Sequence, residues 1–298
     1  MREVIGRRVA GVVLVAAALL ATSACGGQLP PGADGDLTNQ WAALAEPTSW
    51  RPDEAVCADS FRDVSYRSSY KPVSCDQSHT YETVAVADFA GEAASRSTPP
   101  SEGSPDLRAA WADCDKKVTA HLGGDWRNGS LWFGVSLPSP AGWDGGARWY
   151  RCELTALDGQ YGDPVSRTAP LKGELANAAS SLKFGCYQYG SQLVATACNQ
   201  GHNAEFVGVW NAGSTAFASL KGMNTKIAKA CRGLVASYVK VPNDGNIGYR
   251  TGVVWNWPSQ ADWEAGDHGV RCHLWLSKKK VTKSLRGAGA KGLPINYA

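Results

Sequence analysis

The sequence predicts an α+β fold: two tandem small disulfide-stapled domains, each a mostly antiparallel sheet packed on one main helix. Three observations predict it. Setting Cys25 aside, the cysteines fall into two sets of four, Cys57, Cys75, Cys114, Cys152 and Cys186, Cys198, Cys231, Cys272. Two stretches around those cysteines repeat in register. Between them lie apolar runs of strand character and one helical pattern per set, the order of elements expected of a small α+β unit.

The chain opens with Arg2, Arg7 and Arg8 around the start of an uncharged run over residues 9–21. Such a run is too short to span a bilayer, which takes about 20 apolar residues. With its basic flank it predicts a signal peptide over residues 1–24. The stretch Leu19-Leu20-Ala21-Thr22-Ser23-Ala24-Cys25 resembles the lipobox of bacterial lipoproteins. The resemblance implies that Cys25 carries acyl chains such as palmitate and anchors the protein to the extracytoplasmic face of the cell membrane. Thr22 and Ala24 also suit an ordinary signal peptidase, whose product is secreted. Nine cysteines less Cys25 leave eight, an even number that fits a fully paired framework in an oxidising compartment.

Residues 25–45 are rich in Gly, Pro and Asp, buryable surface is scarce, and a flexible tether is expected. The whole chain carries a formal charge of +3. Loss of three arginines and Glu3 with the signal lowers this to +1. A body so nearly neutral lacks the clustered basic footprint of a nucleic-acid binder, so no nucleic-acid partner is expected. Twelve tryptophans against two methionines suit a rigid aromatic core, or an aromatic ligand surface.

The first repeat is expected over residues 46–157 and the second over 182–277. A Gly/Pro-rich linker over 158–181 separates them, and a basic tail follows over 278–298. Around the second cysteine of each set, Cys75-Asp76-Gln77-Ser78-His79-Thr80-Tyr81-Glu82 faces Cys198-Asn199-Gln200-Gly201-His202-Asn203-Ala204-Glu205. Each motif runs into an apolar stretch, at residues 83–89 and 206–210, that reads as a buried strand. Around the fourth cysteine, Trp143 upstream of Arg151-Cys152 matches Trp263 upstream of Arg271-Cys272, with seven identities besides the cysteine and no gap.

The third cysteine of each set lies in a helical pattern. Leu107, Trp111, Cys114, Val118 and Leu122 recur at three-to-four spacing, as do Ile227, Cys231, Leu234, Val235 and Tyr238. Pro105 and Asp106 suit the start of the first helix and Gly123 its end. The longer first copy carries a Ser/Pro/Gly-rich insertion over residues 91–104, read as irregular. Four cysteines per copy allow three pairings, and sequence alone does not choose. The short loops favour first with second, stapling a hairpin, and third with fourth, pinning the helix to the last strand, each contributing about 3 kcal/mol.

The exported chain with His79 and Glu82 after Cys75, a cysteine in the helix, and Trp143 ahead of Arg151-Cys152 resembles the septum formation family of small envelope domains. The resemblance covers residues 57–154 and 186–274. It implies a link to division or cell-wall assembly through envelope or division proteins as partners, and no known enzyme chemistry or cofactor. His79 with Glu82, and His202 with Glu205, are the candidate site. Imidazole and carboxylate three apart are usable as metal ligands. The other reading is that they hydrogen-bond the turn beside the disulfide. No metal is expected, since a zinc site takes three or four ligands and the cysteines are committed. No nucleophile accompanies the pair and no Gly-x-Ser-x-Gly elbow occurs, so an enzyme is not expected, an envelope metalloprotein or hydrolase being the alternative. Trp126, Trp132, Trp143, Trp149, Trp255, Trp257 and Trp263 crowd the ends of the two copies. Those without a counterpart in the other copy are candidates for stacking on cell-wall glycan.

Overall fold

A computed structural model describes residues 48–296. The signal peptide, Cys25 and the tether expected up to residue 45 lie outside the described residues. Each half builds a five-stranded sheet. In the first, β1 (Val56–Ala58), β2 (Val64–Ser65), β3 (Tyr81–Asp88), β4 (Leu131–Pro138) and β5 (Trp149–Ala156) lie in the order β1-β3-β5-β4-β2. In the second, β6 (Cys186–Tyr189), β7 (Leu193–Thr196), β8 (Ala204–Asn211), β9 (Gly252–Asn256) and β10 (Gly269–Trp275) lie in the order β7-β6-β8-β10-β9. Four strands of each sheet therefore correspond, β1-β3-β5-β4 with β6-β8-β10-β9. Pairing is antiparallel except for the short β2 alongside β4. A register shift between Thr83 and Ala85, and its counterpart opposite Cys272 and His273, puts a bulge at Val84 in β3 and at Val207 in β8, the same place in both copies.

One long helix packs on each sheet: α1 (Pro105–Leu122) in the first half and α3 (Asn224–Val239) in the second. The Ser104 hydroxyl accepts from Leu107 N, Pro105 fills the first turn, and Gly123 ends α1 with a left-handed residue, φ 71°. The buried positions of α1 are Ala110, Trp111, Cys114, Val118 and Leu122. They meet the inward face of the sheet at Leu131, Phe133, Cys152 and Leu154. In α3 the corresponding face is Ile227, Cys231, Val235, Ala236 and Val239. Disulfides pin each long helix to the strand β5 or β10, Cys114–Cys152 and Cys231–Cys272, and staple the first strand of each copy to the turn that leads into β3 or β8, Cys57–Cys75 and Cys186–Cys198.

Trp143 and Trp263 sit in equivalent short helices, α2 (Pro140–Asp144) and α4 (Gln260–Ala265), capped by Ser139 and Ser259. Both indoles are buried and donate to backbone carbonyls, of Arg96 at 2.8 Å and of Thr215 at 2.8 Å, tying the long helix's leading loop to the sheet. The insertion over residues 91–104 is not wholly irregular. Gly91–Ala94 make one helical turn, and Trp143 holds the chain at Arg96 immediately after it.

Two segments depart from the sequence-based expectation. The linker and the basic tail are each woven into the half that precedes them. Leu171 and Leu285 are buried, at 0% and 5% exposure, and Leu293 follows at 2%. Local composition, Gly and Pro in one and Lys in the other, concealed single leucines that the sheet and helix bury. The lysines 278–280 and 283 remain exposed, but the backbone that carries them is fixed. The described residues form one compact unit. Among them no helix is long and apolar enough to cross a membrane.

Candidate functional site

The strand that follows each Cys-x-x-x-His turn carries the motif glutamate inward, so the two motif residues meet beneath the sheet's end. His79 is fully buried and Glu82 is 4% exposed. The imidazole is held at both nitrogens, Nδ1 against the Gln77 carbonyl at 2.8 Å and Nε2 against Glu82 Oε1 at 3.3 Å. In the second half His202 Nδ1 lies 2.8 Å from the Gln200 carbonyl and Nε2 3.1 Å from Glu205 Oε1. Each glutamate then collects the segment read as a linker or tail. Leu171 N donates to Glu82 Oε1 at 2.6 Å, and Leu285 N to Glu205 Oε1 at 2.8 Å.

The long helix completes the arrangement. His121 Nε2 approaches Glu82 Oε2 at 3.4 Å, and at the equivalent position Tyr238 donates its hydroxyl to Glu205 Oε2 at 2.7 Å. Burial and the Glu205 carboxylate push the Tyr238 phenol up to about 12, so it stays a donor. The backbone of each histidine exchanges two hydrogen bonds with the returning strap, His79 with Arg167 and His202 with Val281. A sequence signal for the strap exists: Thr168, Leu171, Lys172 and Gly173 match Thr282, Leu285, Arg286 and Gly287 at one spacing. Gly173 and Gly287 both take left-handed backbone, φ 75° and 69°, and donate to the same helical position, His121 and Tyr238.

These are closed locks. Sγ of Cys57 with the His79 and Glu82 ligand atoms, and Sγ of Cys186 with those of His202 and Glu205, lie within 4.8 Å of one another. The sulfurs are in disulfides, however, and supply no thiolate. The motif itself leaves one imidazole and one carboxylate per site, both already hydrogen-bonded, and only the first site has a second imidazole nearby, His121, so the repeated pair does not make up the ligand set a structural or catalytic zinc takes.

Other sequence candidates separate by exposure. Trp126, Trp143, Trp149 and Trp263 are buried, whereas Trp132, Trp255 and Trp257 are half-buried. Trp132 projects from β4 on the face opposite α1, and Trp126 and Trp132 lie beside an opening between the two halves. Asp267, 2% exposed, holds that junction together. It accepts from Arg127 Nε of the first half at 2.7 Å and from Arg271 Nη1 of the second at 2.7 Å. Burial pulls the Arg127 guanidinium down, but Asp267, Asp125 and Asp115 outweigh it and raise it, so the ion stays charged. Nearby, Trp132 Nε1 donates to Asp262 Oδ1 at 2.9 Å across the same junction.

Together these features define a class: a twice-repeated, disulfide-stapled α+β module whose shared motif residues hold the fold, joined so that the two copies wall a common cleft. The chain belongs to the septum formation family, whose model matches residues 55–272, a single span across both halves. No curated protein and no solved structure matches it. Membership in the family carries a role in cell division or the cell envelope.

Proposed function

We infer that the protein is a non-enzymatic binding or scaffold component of septum and envelope biogenesis, tethered through lipid on Cys25 to the outer face of the membrane. One observation carries the reading. The repeated His-Glu pairs are spent on the locks, while three residues that shape the cleft differ between copies: Trp132 stands where the second half has Gly252, and Asp262 and Asp267 where the first has Gly142 and Ala147. What the duplication added beyond stability therefore lies at the junction. The buried His-Glu pairs offer no path to solvent, which favours binding over turnover.

Cells depleted of the chain are expected to misplace or lose septa, with rescue by the intact chain. A Cys25→Ala chain is expected in the culture fluid rather than with the membranes. Normal septation on depletion sinks the division role, and an unchanged membrane fraction for the variant sinks the anchor.

A further inference from the structure

The cleft between the halves has a volume of about 360 Å³, in the lower range for small-molecule sites. Rings of the first half wall it, and polar groups of the second edge it. Phe61 stands edge-on to Trp132 with centroids 5.2 Å apart and lies 5.8 Å from Tyr81, so three rings form one fixed surface. Asp262 at the edge accepts from Trp132 Nε1 and, at 2.6 Å, from the Ser259 hydroxyl. A carboxylate has about four lone-pair positions, which leaves room for donors from a ligand.

Charge narrows the ligand class. Arg271 lines the cleft but is matched by Asp267 at 2.7 Å, leaving Asp262 as the surplus charge, and an anion is disfavoured. A cation would meet the Arg271 guanidinium, which already lies against one face of Trp126 at 5.4 Å and of Tyr161 at 5.1 Å and repels a second positive charge there, whereas a neutral ring can use a face that Arg271 leaves open. A neutral ligand with a flat apolar face and hydrogen-bond donors at its edge fits what remains. Tyr161 supplies a second, independent pointer. It is a non-glycine residue in left-handed backbone, φ 63°, 42% exposed, and it lines the cleft. Such conformations persist where the surroundings hold them, often beside ligands.

We propose that this cleft binds a neutral pyranose ring of a polysaccharide, its apolar face against Trp132 and Tyr161 and its hydroxyls donating to Asp262. The proposal rests on the binding role above and gives that role a ligand class. Neither half alone holds the site, since the rings come from one copy and the carboxylate from the other.

The test is a titration of the mature chain with N-acetylchitotetraose and with cellotetraose, both neutral oligomers, followed by tryptophan fluorescence and calorimetry. Saturable binding of at least one is expected. Trp132→Ala and Tyr161→Gly should each weaken it tenfold or more, while Trp255→Phe, outside the cleft, retains it. Tyr161→Gly relieves the backbone as it removes the ring, so an unchanged circular dichroism spectrum and melting point with lost binding separates a ligand contact from a structural one. Absence of binding to both oligomers overturns the proposal, as does equal binding by the cleft variants, or binding only of a proline-rich peptide probe. A flat titration beside a septation defect in depleted cells removes the glycan alone. Saturable binding beside normal septation removes the division role and keeps the cleft.

Discussion

Positions 153 and 273 each follow the last cysteine of their half and point to the same side of the sheet, but the two copies chose opposite chemistry there. Burial pushes the Glu153 carboxyl up, against the pull of Arg151 and the Thr83 hydroxyl. Burial pushes His273 down, to about 3, with the Val254 carbonyl opposing. Its ring packs between Tyr187 at 5.2 Å and Phe206 at 5.5 Å and is fully buried. An unfolded histidine titrates near 6.5, so the folded state binds fewer protons over the interval between. The contribution of neutral His273 is therefore complete above pH ~6.5 and is lost on acidification towards pH 3, at about 1.4 kcal/mol per pH unit. Glu153 acts in the reverse sense, since its raised folded value favours folding as it takes up a proton. Chemical denaturation at pH 7 and pH 5 should show wild type losing about 2 kcal/mol more than a His273→Phe variant. Equal losses would show that His273 does not set the acid limb. The sequence marked Arg151-Cys152 and Arg271-Cys272 as a repeated pair but said nothing of the position that follows, because a mismatch in an alignment carries no burial information.

Helices and strands were the most legible level. The apolar spacing of α1, its Pro105-Asp106 start and its Gly123 end follow from local rules, and of three open pairings the one that the short loops favoured is the one formed. The straps were missed because their evidence is not local. Leu171 and Leu285 are isolated apolar residues in polar surroundings, and only the finished sheet, helix and glutamate give them a place. The end of α3 differs from that of α1 in one respect that is testable. Lys240 occupies left-handed backbone, φ 68°, where the first copy has glycine. A β-carbon there costs about 1–2 kcal/mol, so Lys240→Gly should raise stability by about 1 kcal/mol in urea denaturation, net of glycine's larger unfolded freedom. A loss of stability would mean that the lysine side chain contributes more than the strain it imposes.

At the scale of the whole molecule the decisive group is Asp267. It is the shared counter-ion of Arg127 and Arg271, one from each half, and all three are largely withdrawn from water. Removing it leaves the buried Arg271 uncompensated, while Arg127 keeps Asp115 and Asp125, at a cost of about 3–5 kcal/mol. Asp267→Ala is thus expected to lower the melting temperature by roughly 10 °C, given about 2–4 °C per kcal/mol in a chain of this size. A shift of a degree or two would mean that water reaches the junction and screens it. The junction could not be read from the sequence, where Arg127 and Asp267 lie far apart and Asp267, though inside a repeated stretch, stands opposite Ala147. The seam has a further consequence for how the two copies can part. Arg127 keeps Asp115 and Asp125 within the first half, and Asp267 keeps Arg271 within the second, so each side holds a counter-ion of its own. Parting the halves would break the link from Arg127 to Asp267 without stranding a charge on either side, and the join is a bridge between two charge networks already balanced at home.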